Sequence, residues 1–133
     1  MLLAWRALAV GGALHVVLAM SVDSVHLTLA TDKPAYRTGE PIELILKLTN
    51  RSKQPHVLEF SSSQRYDFEI EGWRWGADKM FAQMMGTERL APGASQEYRE
   101  RFLGRLAPGT YRVTGRITAI GSTAQAVATF TVR

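Results

Sequence analysis

His56, the run Ser61-Ser62-Ser63 and Asp67 stand close together in the chain and hold the residue types of a base, a nucleophile and an orienting acid. Such a triad works only if hydroxyl, imidazole and carboxylate meet within hydrogen-bond reach, and sequence proximity does not deliver that. No Gly-x-Ser-x-Gly elbow raises a serine out of a strand end. The serines therefore read as the polar end of a strand. The other histidines are His15 and His26, and no His-x-His, His-Glu-x-x-His or carboxylate cluster accompanies them, so no metal site is expected. With 0 Cys, thiol nucleophiles, Cys-ligated zinc and disulfide staples are all excluded. A phosphate-binding glycine loop is missing as well. The sequence offers no catalytic residue and no cofactor.

What would hold any functional side chain in place is sheet. Val25, Leu27 and Leu29 alternate with His26, Thr28 and Ala30, and Ile42, Leu44, Leu46 and Leu48 alternate with Glu43, Ile45, Lys47 and Thr49. This is the period of a strand with one buried face. Leu58 and Phe60 belong to a third strand. Across Tyr66–Trp75 a Glu71-Gly72 turn would set Ile70 against Trp73, Phe68 against Trp75 and Glu69 against Arg74. Residues 77–88 break the alternation and read as a loop or one helical turn. Leu-Ala-Pro-Gly occurs at 90–93 and again at 106–109, each copy a turn that starts a strand. Tyr98 and Phe102 follow the first copy, and Tyr111, Val113 and Ile117 the second. Ala126, Ala128, Phe130 and Val132 close the chain. Seven or eight strands with no convincing helix predict an all-β immunoglobulin/fibronectin-like antiparallel β-sandwich. Leu106-x-Pro-Gly-x-Tyr111 resembles a tyrosine corner, with Tyr111 expected to be buried and its hydroxyl bonded to backbone near Leu106–Pro108.

Residues 1–20 differ from the rest. Ala7–Met20 carry no charge, too short a run for a span of roughly 20 residues but suited to a signal-peptide core of about 7–15. The expected division is a signal peptide over 1–20, or a start at Met20, followed by a domain over 22–133. Export would make the protein secreted or periplasmic; a start at Met20 would leave it cytoplasmic. The net charge of +4 is uneven, −2 over residues 20–88 and +5 over 89–133. Arg99, Arg101, Arg112 and Arg116 offer a basic face, but the aromatics fall on inward positions. The stacking platform of a single-strand binder is then missing, and no specific nucleic acid is expected.

Phe60-Ser-Ser-Ser-Gln64-Arg65-Tyr66-Asp67-Phe68, then Trp73-Arg74-Trp75 and Lys79-Met80-Phe81-Ala-Gln83, resemble the bacterial intracellular proteinase inhibitor (BsuPI-type) family. Tyr36-x-x-Gly39-Glu40-Pro41-Ile42, Leu48-Thr49-Asn50 and the two Leu-x-Pro-Gly turns agree, so the resemblance covers about residues 25–132. It implies a non-enzymatic inhibitor of a subtilisin-type serine protease. The alternative is an extracytoplasmic protein-interaction module without inhibitory activity, since this fold hosts many functions. Either way the partner is a protein, no membrane span falls in the domain, and a monomer is expected. Gln64, Arg65, Tyr66, Asp67, Phe68, Trp73, Trp75 and Tyr111 read as structural. Partner contact is expected from the aperiodic segment, at Lys79, Met80, Phe81, Gln83 and Met84. A cap over one end of the sandwich would want the same apolar residues buried.

Overall fold

A computed structural model describes residues 25–133 together with the backbone of 2–10 and 13–22. The leader expected over residues 1–20 lies outside the residues whose side chains are described. In chain order the strands are β1 (Leu2–Val10), β2 (Ala13–Val22), β3 (Val25–Thr31), β4 (Ala35–Tyr36), β5 (Ile42–Asn50), β6 (His56–Phe60), β7 (Tyr66–Ile70), β8 (Trp73–Arg74), β9 (Gly86–Leu90), β10 (Ser95–Phe102), β11 (Gly109–Ile117) and β12 (Gln125–Val132). Among the described residues one 3-10 turn is present, over Trp75–Asp78. Strands pair along one path, β10-β5-β3-β2-β12-β11-β7-β8, with β1 added to β2 and β4 to β12; β6 and β9 form a small sheet of their own. The pairs along this path are antiparallel; β4 alone runs parallel to its neighbour, Ala35 beside Thr131.

The path folds back on itself. Phe102 of β10 meets Trp73 of β8 edge-on at 4.8 Å, and Tyr98 meets Tyr66 of β7 at 4.7 Å. The layer of β3, β5 and β10 thus packs on the layer of β12, β11, β7 and β8, which makes the expected antiparallel sandwich. Leu27, Leu29, Leu44, Leu46, Phe68, Ile70, Val113 and Phe130 fill the space between. The layers come close at Gly115, where a β-carbon would lie 2.9 Å from Leu46 Cδ1 and 3.4 Å from Leu29 Cδ2. Alternation explains this core, since each inward side chain removes apolar surface from water; on β3 and β5 the outward residues His26, Ala30 and Ile45 are buried as well.

The β7–β8 hairpin has the anticipated register, Ile70 opposite Trp73 and Glu69 opposite Arg74. Its turn places Glu71 at φ 46° and Gly72 at φ 80°, the two left-handed residues of a type I′ turn. A glutamate at the first of these is strained, whereas Asn tolerates it. Glu71→Asn is expected to stabilise the domain by roughly 0.5–1 kcal/mol, raising Tm by about 2–4 °C in thermal unfolding. The expected pairing of Phe68 with Trp75 does not form. The chain leaves the sheet after Arg74, for a reason that belongs to the site.

Tyr111 corrects a second expectation. Its hydroxyl donates to the Ala107 carbonyl at 2.5 Å, as a tyrosine corner requires, but the ring is half-buried and stacks on Phe130 at 5.7 Å. The fully buried tyrosine is Tyr36, which donates to Asp32 Oδ1 and accepts the Lys33 N–H at 2.9 Å. Tyr111 is only the third residue of β11, beside the turn glycine Gly109, so its ring lies at the margin of the core.

Candidate functional site: a clamped methionine loop

Between β8 and β9 the chain runs outside the sheet, and a short stretch before β7 holds it there. Asp67 is buried, and its Oδ1 accepts the Gly76 N–H at 2.9 Å as well as the Phe68 N–H at 3.0 Å. Drawing Gly76 onto Asp67 is what lifts Trp75 off the hairpin. A β-carbon on Gly76 would stand 2.6 Å from Gln64 Nε2 and 3.3 Å from each Asp67 oxygen, so a larger residue at this root would push the Gln64 amide aside and crowd the Asp67 carboxylate. Trp75, released from the strand, stacks on Tyr66 at 4.8 Å. The other root is Gly86, where Arg65 occupies the place of a β-carbon, its Nη2 2.5 Å away. Arg65 itself is fixed by Glu88 at 3.0 Å, by the Ser62 carbonyl at 2.7 Å and by the Phe60 ring at 4.3 Å.

The loop is also pinned in its middle. Ala82 donates its N–H to Ser63 Oγ at 2.9 Å and accepts the Ser63 N–H on its carbonyl at 2.9 Å. Phe81 leans on Trp75 at 5.8 Å, and the Lys79 ammonium lies 5.0 Å from the same ring. The clamp stretch is in turn tied to the sheet, because Thr118 donates its hydroxyl to the Gln64 carbonyl at 2.8 Å and its N–H to the Arg65 carbonyl at 3.1 Å. From this frame Met80 projects wholly into solvent (100% exposed), with Met84 at 68% and Met85 at 76%. Lys79 and Gln83 are exposed, while Phe81 is half-buried.

The structure thus gathers Lys79, Met80, Gln83 and Met84 on one exposed segment and turns Phe81 inward. Met80, Met84 and Met85 cap nothing. Gln64, Arg65, Tyr66 and Asp67 line the loop's roots, and Phe68, Trp73 and Trp75 pack in or against the core. Sequence reasoning did not single out Gly76, Gly86 or Glu88, and it weighed Ser63 as a nucleophile and a polar strand end, not as an anchor of this loop. Ser63 carried no periodic signal, because its partner Ala82 is distant in the chain and lies on an irregular segment.

Two phenols complete the frame. Tyr66 donates to Glu100 at 2.5 Å and Tyr98 to Glu88 at 3.2 Å. Burial first, and then these carboxylates, hold both phenols neutral well above the ordinary value of 10.0. In the unfolded chain they ionise near 10, so above that pH the unfolded state binds fewer protons and stability falls. Urea midpoints are expected to be flat from pH 8 to about 9.5 on this account and to drop between about 10 and 11. Tyr66→Phe should reduce the drop.

The other chemistry weighed from the sequence does not assemble. His56 opens β6 and Ser61 follows its end, so roughly 16 Å of strand separates them at about 3.3 Å per residue. Asp67 is engaged with Gly76. Among the described residues no group of three or more His, Asp or Glu side chains is placed to hold a metal ion. The four arginines do not share a face either, since β10 and β11 lie in opposite layers and their outward sides point apart. Arg99 is paired with Glu43 at 2.9 Å and Glu97 at 3.0 Å, and Arg116 with Asp67 at 3.5 Å. Among the described residues no helix is long and apolar enough to cross a membrane.

A two-layer antiparallel sandwich with a parallel β4 on its last strand and a tyrosine corner is an immunoglobulin-like domain. Residues 29–121 match the model of the BsuPI intracellular proteinase inhibitor family, and the chain belongs to that family. It is a family of inhibitors and not of enzymes. No curated protein matches the chain. Among solved structures, the CARDB domain of a Pyrococcus furiosus protein, determined with di-metal ions, is 11% identical with a TM-score of 0.50, covering 85% of this chain and 97% of that one. The Pseudomonas fluorescens alkylpurine DNA glycosylase AlkC, determined bound to DNA, is 19% identical with a TM-score of 0.50; 85% of this chain matches 31% of that one. At these identities the likeness is one of fold.

Proposed function

We propose that this family member inhibits a serine protease of the subtilisin type by offering Lys79–Met85 to the protease cleft, with Met80 entering the primary pocket. The observation that carries the reading is the full exposure of Met80 on a loop fixed at both roots and at Ala82. A methionine in water forgoes roughly 1.5–3 kcal/mol that burial in a partner's pocket would recover. A loop already held in one shape loses little conformational freedom on docking. Lys79 and Gln83 supply a polar rim around the apolar anchor.

The test is titration of a subtilisin with the purified chain and its variants. Met80→Ala is expected to weaken inhibition at least tenfold, about 1.4 kcal/mol, with Tm unchanged to within about 1 °C. Phe81→Ala should weaken inhibition through loss of the Trp75 contact and lower Tm slightly as well. Equal inhibition by Met80→Ala and the unaltered chain would remove Met80 from the pocket.

A further inference from the structure

We infer that Met80, Met84 and Met85 form a reversible oxidation site that switches the inhibitory loop off; the inference rests on the function proposed above. Three of the chain's five methionines fall between positions 80 and 85, and the chain has no cysteine to intercept an oxidant. The described core is built from Leu, Ile, Val, Phe, Tyr and Ala, with no methionine among its buried residues. Among the described residues, sulfur therefore stands where solvent reaches it, at exposures of 100%, 68% and 76%. Access of this kind governs methionine oxidation.

The step balances with a hydroperoxide as oxidant. The thioether sulfur attacks the peroxide oxygen and gives up two electrons. The S=O bond forms, the O–O bond breaks, and hydrogen peroxide leaves as water. A flexible apolar side chain becomes a polar one, and an apolar pocket then has to bury an S=O without a hydrogen-bond donor. The scaffold does not feel the change. The contacts that shape the loop run through Gly76, Phe81, Ala82 and Gly86, and none of them uses a methionine side chain. Methionine sulfoxide reductases, one for each epimer, reverse the step.

The experiment treats the full chain with hydrogen peroxide and follows peptide-mapped sulfoxide, Tm and inhibition of subtilisin together. Sulfoxide is expected at Met80, Met84 and Met85, with inhibition weakened at least tenfold, Tm held, and inhibition restored by the two reductases. In a Met80→Leu/Met84→Leu/Met85→Leu variant, measured against its own untreated inhibition whatever its level, peroxide should cause no further loss. If the unaltered chain inhibits while all three positions are mapped as sulfoxide, the switch alone is overturned. The same holds if the leucine variant loses inhibition to peroxide equally. An untreated chain that inhibits no serine protease overturns the proposed function and the switch with it.

Discussion

Replacing Lys79–Met85 with a glycine–serine segment of equal length is expected to weaken protease inhibition at least a thousandfold, roughly 4 kcal/mol, while the domain stays folded. Tight protein complexes draw most of their energy from a few central anchors, and the anchors proposed here stand on one loop. The replacement removes Met80 and Met84, the flanking Lys79 and Gln83, and the Phe81–Trp75 contact. What it removes from the fold is small, because the methionines are in solvent and the loop's only inward ring is the half-buried Phe81. Tm is therefore expected to move by no more than a few degrees. Surface exchanges away from buried contacts usually cost within about 0.5 kcal/mol, and one lost aromatic pair adds roughly 0.5–1.5 kcal/mol. Inhibition constants and thermal unfolding of the same sample decide the matter. A variant that keeps its inhibition would move the site elsewhere on the sandwich.

The largest effect on stability is expected at Asp67. Its carboxylate is buried, accepts two backbone N–H groups and faces Arg74 at 3.6 Å and Arg116 at 3.5 Å. The two kinds of partner do not weigh equally. Both arginines are about half exposed (54% and 51%), and ion pairs open to water contribute roughly 0–1 kcal/mol. A hydrogen bond to a charged acceptor contributes about 1.5–3 kcal/mol, and an N–H left buried without a partner costs a similar amount. Asp67→Ala should thus cost about 3 kcal/mol, or roughly 10–15 °C in Tm for a domain of this size. Asp67→Asn keeps an acceptor oxygen toward Gly76 and should cost only about 1 kcal/mol. Arg74→Ala and Arg116→Ala should each stay within about 0.5 kcal/mol. If Asn costs as much as Ala, the charge and not the backbone donors is what Asp67 supplies. Asp67→Ala should also weaken inhibition below the melting transition, since the Gly76 root of the loop would come free.

The sandwich was legible because its signal is local. A period of two needs only neighbours in sequence, and Ile42–Leu48, Tyr111–Ile117 and Ala126–Val132 carry it, with Ile45 and Val127 the apolar residues at outward positions. Leu-Ala-Pro-Gly marked two strand starts for the same reason, since turn geometry is written in adjacent residues; Ser95 and Gly109 begin strands just after or within those turns. The hairpin register at Ile70–Trp73 followed from one two-residue turn. Its failure at Trp75 was not readable, because the pull on the chain comes from Asp67, through a hydrogen bond to a backbone group that has no sequence identity. The same limit hid the hold of Ser63 on Ala82.

The amino-acid sequence by itself determined the fold class, the absence of thiol chemistry, the family resemblance and the aperiodic methionine-bearing segment. Each depends on residue type and short-range order alone. Tertiary structure decided that Met80, Met84 and Met85 face water instead of capping the core, and that Phe81 turns back onto Trp75. It also decided that Gln64, Arg65, Tyr66 and Asp67 grip the two roots of one loop. An apolar side chain is equally suited to a core or to a partner's pocket, so its type cannot say which. That choice rests on the position of the backbone, and here two close approaches set it, Asp67 on Gly76 and Arg65 on Gly86.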